Sequence, residues 1–315
     1  MALTEHTLSN DRSLNDIETK SMSFKPTHAR PDAESVSRSA NELGSIEHQA
    51  LKLSQVNHKD LSSSQEVTEN IAIEAPVAMV FNGLSYAVMM ATPSHLEDFA
   101  YGFALSEGIV DDLQQIYDCE THRTPQGYSA ELRIASAAFH RLKEKRRNLT
   151  GRTGCGLCGV ESLAQAIPSL EPISSAQQTP LKHILSAARQ LRQHQDLMTD
   201  TGSCHAAAWC NNAGEIHIVR EDVGRHNALD KVIGALARKH HSNTQSGQGF
   251  ILMTSRASYE LVHKCARAKI PVLAAISGVT SLAIDVAQDS GLALLGFTRE
   301  YNSTIYTHPH RIILD

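Results

Sequence analysis

Gly249-Phe250-Ile251-Leu252-Met253-Thr254, Pro271-Val272-Leu273-Ala274-Ala275-Ile276-Ser277 and Leu292-Ala293-Leu294-Leu295-Gly296-Phe297-Thr298 are three nearly continuous apolar runs. Helical patterns over Tyr259–Ala268 and Ser281–Asp289 separate them. A strand with one wet face alternates polar and apolar residues, so runs this uniform belong to strands covered on both faces. They predict a mostly parallel or mixed sheet with helices on both faces. Working upstream, the same rhythm continues with strands Ala206–Cys210 and Glu215–Arg220, the turn Asn211-Asn212-Ala213-Gly214 between them, and a helix Asn227–Lys239. Two further helices are expected over Glu161–Ala166 and Leu181–Gln195, punctuated by Pro168 and Pro180.

Ahead of this α/β part the pattern changes to a smaller α+β unit. Asn82-Gly83 between the β-rich runs Val77–Phe81 and Leu84–Met90 is a strong hairpin signal. Ser94 and Glu97 form an S-x-x-E capping box for a helix Leu96–Ser106, with Gly108 as its stop. A strand pair over Ile116–Glu120 and Tyr128–Ala135 follows, with Gly127 near its turn. Residues 1–68 are rich in Ser, Asn, His and charge, with Phe24 the only aromatic, which predicts a disordered tail. Its alternative is an amphipathic helix over 45–57. The expected organisation is thus a tail 1–68, a small α+β domain 69–140 and an α/β domain 141–315.

At 315 residues and 41% apolar content the chain has material for ordinary cores. A net charge of −5 argues against wholesale nucleic-acid binding, so any anion site is local. No run of eighteen apolar residues and no charged-then-apolar leader is present, which predicts no membrane span, no signal peptide and a cytoplasmic location. In a reducing compartment the six cysteines are expected to be thiols.

Two of them, Cys155 and Cys158, stand within Thr153-Gly154-Cys155-Gly156-Leu157-Cys158-Gly159-Val160-Glu161. Cys-x-x-Cys suits two thiols that share a metal, exchange a disulfide or hand on a sulfur atom, and spacing alone does not choose. Three framing glycines let the backbone bend and another molecule approach. Upstream, Arg141, Lys143, Lys145, Arg146, Arg147 and Arg152 supply positive charge that stabilises a thiolate. The plainer readings are two buried apolar cysteines, or half of a zinc knuckle that only Cys204 and His205 could complete.

In open α/β sheets ligands bind beyond the carboxyl ends of the strands. Three strand-to-helix junctions there are rich in polar residues. Arg220-Glu221-Asp222-Val223-Gly224-Arg225-His226-Asn227 offers Arg225 and His226 beside a helix N-terminus that attracts anions. Read plainly, this run is a salt-bridged turn with Asn227 as N-cap. Thr254-Ser255-Arg256-Ala257-Ser258 presents Ser255 and a guanidinium at Arg256 suited to phosphate. Ser277-Gly278-Val279-Thr280-Ser281 is similar but uncharged. Together they point to a large phosphate-bearing ligand. Asp230 and Lys231 read as an exposed pair, and Cys265 as core. H-E-x-x-H, G-x-S-x-G and Walker motifs are all missing from the sequence.

The motifs T-G-C-G-L-C-G-V-E, R-E-D-V-G-R-H-N-A-L-D-K, T-S-R-A-S-Y-E-L-V, and G-F-T-R with I-Y-T-H-P resemble, in the right order, the FdhD family of formate dehydrogenase accessory sulfurtransferases. The resemblance runs from about Glu74 to His308. It implies a cytidine-deaminase-like mixed-sheet domain, a homodimer, and a persulfide relay from a cysteine desulfurase to the Mo-bis(molybdopterin guanine dinucleotide) cofactor of formate dehydrogenase, bound as substrate. Cys155 would carry the persulfide with Cys158 as exchange partner, and Phe297, Thr298, Arg299, Glu300, Tyr301 and Asn302 would contact the cofactor. No permanent metal is implied. Many members carry a basic residue where Asn302 stands, and commonly Gly-Thr where this chain has Ser203-Cys204. His205-Ala206-Ala207 lacks the glutamate that deaminases of this fold use, so no deaminase activity is expected. The competing readings are a non-catalytic molybdenum-cofactor chaperone and a zinc-stabilised binding module.

Overall fold

The computed structural model describes residues 44–57, 60–150, 170–242 and 248–314. The elements run β1 (Ser45–Asn57), β2 (Asp60–Ala72), β3 (Ala75–Phe81), β4 (Leu84–Ala91), α1 (Leu96–Ser106), β5 (Ile116–Thr124), β6 (Gly127–Ile134), α2 (Ser136–Thr150), β7 (Thr179–Pro180) and α3 (Leu181–Gln190). They continue with α4 (Asp196–Thr201), β8 (His205–Asn211), β9 (Ile216–Asp222), α5 (Arg225–Ser242), β10 (Gly249–Met253), α6 (Tyr259–Arg267), β11 (Val272–Ala275), α7 (Ser281–Ser290), β12 (Ala293–Arg299), β13 (Asn302–Ile305) and β14 (Ile312–Ile313).

The central sheet has six strands in the order β13-β12-β11-β10-β8-β9. β10, β11 and β12 are parallel, and β8 is antiparallel to both β10 and β9. The mixed α/β expectation therefore holds. The uniform apolar runs are explained by what they divide. Ile251, Met253, Leu273, Ala275 and Leu294 face the core formed with Leu229 and Val232 of α5, Leu261 and Val262 of α6 and Ala283 of α7. Phe250, Leu252, Val272, Ala274 and Leu295 face the other core, with Ile184 and Ala187 of α3. Successive residues point to opposite faces, and both faces are dry.

The small unit is a four-stranded sheet, β4-β3-β6-β5, covered by α1 and the start of α2. Its first hairpin turns as expected, with Asn82 and Gly83 both at positive φ (46° and 78°) between the paired Phe81 and Leu84. The capping box does not form. His95 takes the N-cap position of α1 with φ 53° and no side-chain cap bond, while the Glu97 carboxylate turns to Arg238 at 2.7 Å. Helix α2 crosses the expected boundary at residue 140, placing Ala138 and Leu142 in the small unit's core.

The two units meet where α1 crosses α5. A Cβ on Gly102 would lie 1.7 Å from the Asp230 carbonyl oxygen, and one on Gly234 1.9 Å from that of Asp98. Each glycine thus rests on the backbone of the other helix, an approach closed to any side chain. Asp98 at this crossing accepts from Arg220 (2.7 Å) and Arg238.

Three further expectations need correction. Within the predicted disordered tail, and within its alternative helix, residues 45–57 and 60–68 instead form strands of an antiparallel ribbon. Its base is tied down by Ser45 Oγ and Asn70 Nδ2 donating to Asp200, and by Ile73 N donating to the Gly44 carbonyl. A polar backbone ladder supplies this order, and it needs no apolar period. The helix expected over Leu181–Gln195 is cut at Gln190 and continues as a 3₁₀ turn over Leu191–His194. Asp230 and Lys231 are fully buried rather than exposed. Residues 1–43 and the helix expected over Glu161–Ala166 lie outside the described residues. No helix among the described residues is long and apolar enough to cross a membrane.

Candidate functional site

Because β8 opposes both its neighbours, β9, β10, β11 and β12 all run one way and end on one edge of the sheet. The three polar junctions of the sequence do gather there. Thr254 Oγ1 accepts from Ala206 N at 2.9 Å, Ala257 N donates to the Gly278 carbonyl, Thr280 N to the Ala257 carbonyl, and Phe297 N to the Ser277 carbonyl. The junction after β9 joins this row through β8, whose first residue His205 pairs with Asp222. With neighbouring strands about 4.8 Å apart, the edge from β9 to β12 spans roughly 20 Å.

Along that edge the expected residues are not equivalent. Arg225 opens α5, and its Nε is buried with no hydrogen-bond partner among the described residues. It lies close enough to His205 that burial, and then this guanidinium, push the imidazole below its ordinary value. Arg256 is exposed, whereas Ser255 is buried and spends its hydroxyl on the Arg256 carbonyl at 3.0 Å. Ser258 Oγ, at the N-cap of α6, is buried without a partner among the described residues.

The β12–β13 turn makes the far end of the edge. Phe297 and Tyr301 are 47% and 77% exposed, and Thr298 is buried with its hydroxyl on Ser303. Phe297 and Glu300 hold φ of 50° and 30°, a region that costs side-chain-bearing residues of order 1–3 kcal/mol. The turn is braced from outside. Arg299 Nε donates to the Ile276 carbonyl at 3.1 Å, Asn302 pairs with Arg299, and Arg189 donates to the Glu300 carbonyl while lying 5.8 Å from the Tyr301 ring. Nothing in the sequence singled out Arg189, since it comes from the unremarkable end of α3.

His226 follows Arg225 in the first turn of α5. It contacts Glu260 and lines a cleft of about 510 Å³ between α1, α5 and α6, with Glu107, Tyr259, Lys264 and Arg267. Burial lowers its pKa, against the pull of Glu260. Under this cleft Lys264 Nζ meets Asp230 at 3.0 Å, Glu107 at 2.7 Å and Ser106 Oγ at 2.9 Å. Burial opposes the charge on Lys264, but the two carboxylates outweigh it and hold the amine above its ordinary value. Asp230 moves the same way, its carboxyl raised by burial despite Lys264.

Cys155 and Cys158 lie outside the described residues, between the end of α2 and Leu170. The four described cysteines are all poor nucleophiles. Burial pushes Cys119 and Cys210 up to about 12, with Glu97 adding to the effect on Cys119. Burial and then Glu221 raise Cys204, whose thiol donates to Glu221 Oε1 at 3.3 Å. Burial likewise raises Cys265, which sits in the core as expected. Among the described residues no group of three or more His, Cys, Asp or Glu could hold a metal ion.

Comparison with known proteins bears on this arrangement. The sequence model of the FdhD/NarQ family matches residues 72–313. A protein of Variovorax paradoxus named sulfur carrier protein FdhD is 51% identical over 242 residues, covering 77% of this chain and 86% of that protein. A protein of the same name from Chromobacterium violaceum is 50% identical over 258 residues, covering 81% and 94%. A crystal structure from Desulfotalea psychrophila, described as a formate dehydrogenase accessory protein, superposes with a TM-score of 0.63 at 25% identity, covering 85% of this chain and 99% of that one.

Proposed function

The chain belongs to the FdhD/NarQ family, and from that premise we propose that it is a sulfurtransferase in formate dehydrogenase maturation. It takes sulfur from a cysteine desulfurase as a persulfide and passes it to the bis-guanine-dinucleotide molybdenum cofactor before insertion into the catalytic subunit. The observation that carries this reading is the state of the four described cysteines. Each is held as a thiol, which leaves thiolate chemistry to Cys155 and Cys158.

In the loading step the Cys155 thiolate attacks the outer sulfur of the donor's persulfide. A Cys155 S–S bond forms, the donor's S–S bond breaks, and the donor cysteine leaves as thiolate. For delivery, the Cys158 thiolate attacks the inner sulfur of the Cys155 persulfide: a Cys155–Cys158 disulfide forms, the persulfide S–S bond breaks, the outer sulfur leaves at the sulfide level for the cofactor, and an external thiol reductant restores the two thiols between turnovers. The substrate cofactor lies along the strand-end edge, its phosphates on Arg225, Arg256 and the N-termini of α5 and α6. Phe297 and Tyr301 offer exposed rings for guanine, and Thr298, Arg299, Glu300 and Asn302 shape the turn that carries them. A length of roughly 20 Å suits a dinucleotide better than a single phosphate. In this reading the protein works in the cytoplasm as a homodimer, and its mixed sheet is of the cytidine-deaminase kind.

Mass spectrometry after incubation with a desulfurase and cysteine tests the chemistry. Cys155 is expected to gain the mass of one sulfur atom, and Cys155→Ala to abolish formate dehydrogenase activity with client abundance unchanged. A fully active Cys155→Ala strain would replace this reading with that of a cofactor chaperone. Stoichiometric zinc in the purified protein would instead favour a metal-stabilised binding module.

A further inference from the structure

Asp230 and Lys231 are consecutive on α5 and both are fully buried, but neighbours on a helix point about 100° apart. Asp230 looks toward α1 and α6. Lys231 looks the other way, toward the ends of β9 and β4, and all three of its ammonium donors are used there. They reach Asp222 Oδ2 at 2.6 Å, the Thr92 carbonyl at 2.9 Å and the Glu221 carbonyl at 3.3 Å.

Asp222 is just as fully engaged. Its Oδ2 also accepts from Thr92 N at 3.0 Å, and its Oδ1 accepts from Gly224 N at 2.8 Å and Asn227 Nδ2 at 2.9 Å. Two more bonds close the cluster: Asn227 Nδ2 donates to the Met90 carbonyl and Val223 N to Thr92 Oγ1. The turn from β9 into α5 is thus pinned at Val223, Gly224 and Asn227, partly by groups of the small unit.

A buried ion pair adds little net stability over a well-packed apolar pair, so stability alone does not account for this one. What an apolar pair could not do is hold a turn by directed hydrogen bonds. This turn carries Arg225, whose buried Nε has no partner among the described residues, and the opening of α5.

We propose that Asp222 and Lys231 are positioning residues. They set the β9–α5 turn so that Arg225 meets a nucleotide phosphate, and through Thr92 they make that setting depend on the docked small unit. The ligand half of this inference rests on the nucleotide reading above. Neither residue touches substrate.

The test uses the full chain and GDP, GMP and guanosine as probes. Lys231→Met leaves the Asp222 carboxylate its three other donors, and circular dichroism and urea unfolding check that the fold survives loss of the buried cation. Amide exchange at Val223 and Gly224 is expected to quicken about tenfold while Ile251 and Leu252 stay protected, as for a local opening. GDP affinity should fall about tenfold and guanosine affinity should hold, because only a charge-assisted phosphate contact is lost. Thr92→Val removes only the acceptor of Val223 N and should give the same pattern at about threefold. It decides the question if Lys231→Met does not fold. Unchanged exchange in the turn overturns the positioning role, and so does a looser turn with wild-type GDP affinity. Equal loss of GDP and guanosine would mark the pair as merely structural and overturns it too. If wild type binds none of the probes, the nucleotide reading fails and takes the ligand half with it, while the exchange measurements still decide whether the pair sets the turn.

Discussion

The two ends of the strand-end edge are built in opposite ways. At the β9–α5 turn the backbone is pinned by the buried Asp222 and Lys231, and Arg225 opens the helix beyond it. At the β12–β13 turn two residues other than glycine sit at positive φ, two aromatic rings stand in solvent, and the bracing comes from outside, from Arg189 and the Ile276 carbonyl. One end is fixed by satisfied buried polar groups. The other stores backbone strain under an adaptable aromatic surface. Such a pairing lets a site hold the charged part of a ligand rigidly while the flat part is gripped by rings that can adjust.

Removing the support beneath the rigid end should have the largest effect. Gly102→Ala would drive a methyl against the Asp230 carbonyl, part the two units, and lower stability by about 3 kcal/mol or more, read by thermal or urea unfolding. A melting temperature near wild type would mean the α1–α5 crossing is looser than it stands here. Next comes the charge at that end. Arg225→Ala should weaken GDP binding by about 1.5–3 kcal/mol by calorimetry, because a half-buried guanidinium gives up a charge-assisted bond. Arg256→Ala should cost less, since Arg256 is exposed and solvent screens its contact. The reverse ranking would move the phosphate site toward α6.

At the strained end the expected effects are smaller and change sign. Glu300→Gly relieves a positive φ and should raise stability by up to about 1 kcal/mol in chemical unfolding. A loss would show that the Glu300 side chain contributes more than its backbone costs. Tyr301→Ala should leave stability within about 0.5 kcal/mol, its ring being exposed. It should nevertheless weaken guanosine binding if that ring takes the base. Unchanged affinity for every guanine ligand would remove Tyr301 from the site.

Much of this arrangement was legible beforehand, and the remainder was hidden for identifiable reasons. Three apolar runs named the buried strands, and the junctions after them were found on one edge, as the direction of the strands requires. Asn82-Gly83 named its own turn because positive φ is a local requirement. The capping box failed although its residues were present, because Arg238 from a distant helix claimed Glu97. His226 read with Arg225 as an anion contact, and what only the fold shows is that it meets Glu260 and lines the cleft between α1, α5 and α6. The β1–β2 ribbon escaped notice because backbone hydrogen bonds, which leave no compositional trace, pair its strands.

By itself, then, the amino-acid order determined whatever depends on near neighbours: the dryness of the central strands, the hairpin turn, the identity of the motifs and the thiol pair. The tertiary structure alone decided where charge is buried. A lysine is exposed by default, and Lys231 is not, because Asp222 and a carbonyl from Thr92, 139 residues earlier in the chain, meet its ammonium in the interior. It also decided that α1 and α5 touch backbone to backbone at Gly102 and Gly234. A glycine in a helix looks only like a weak helix former until the element that needs its missing side chain is brought against it.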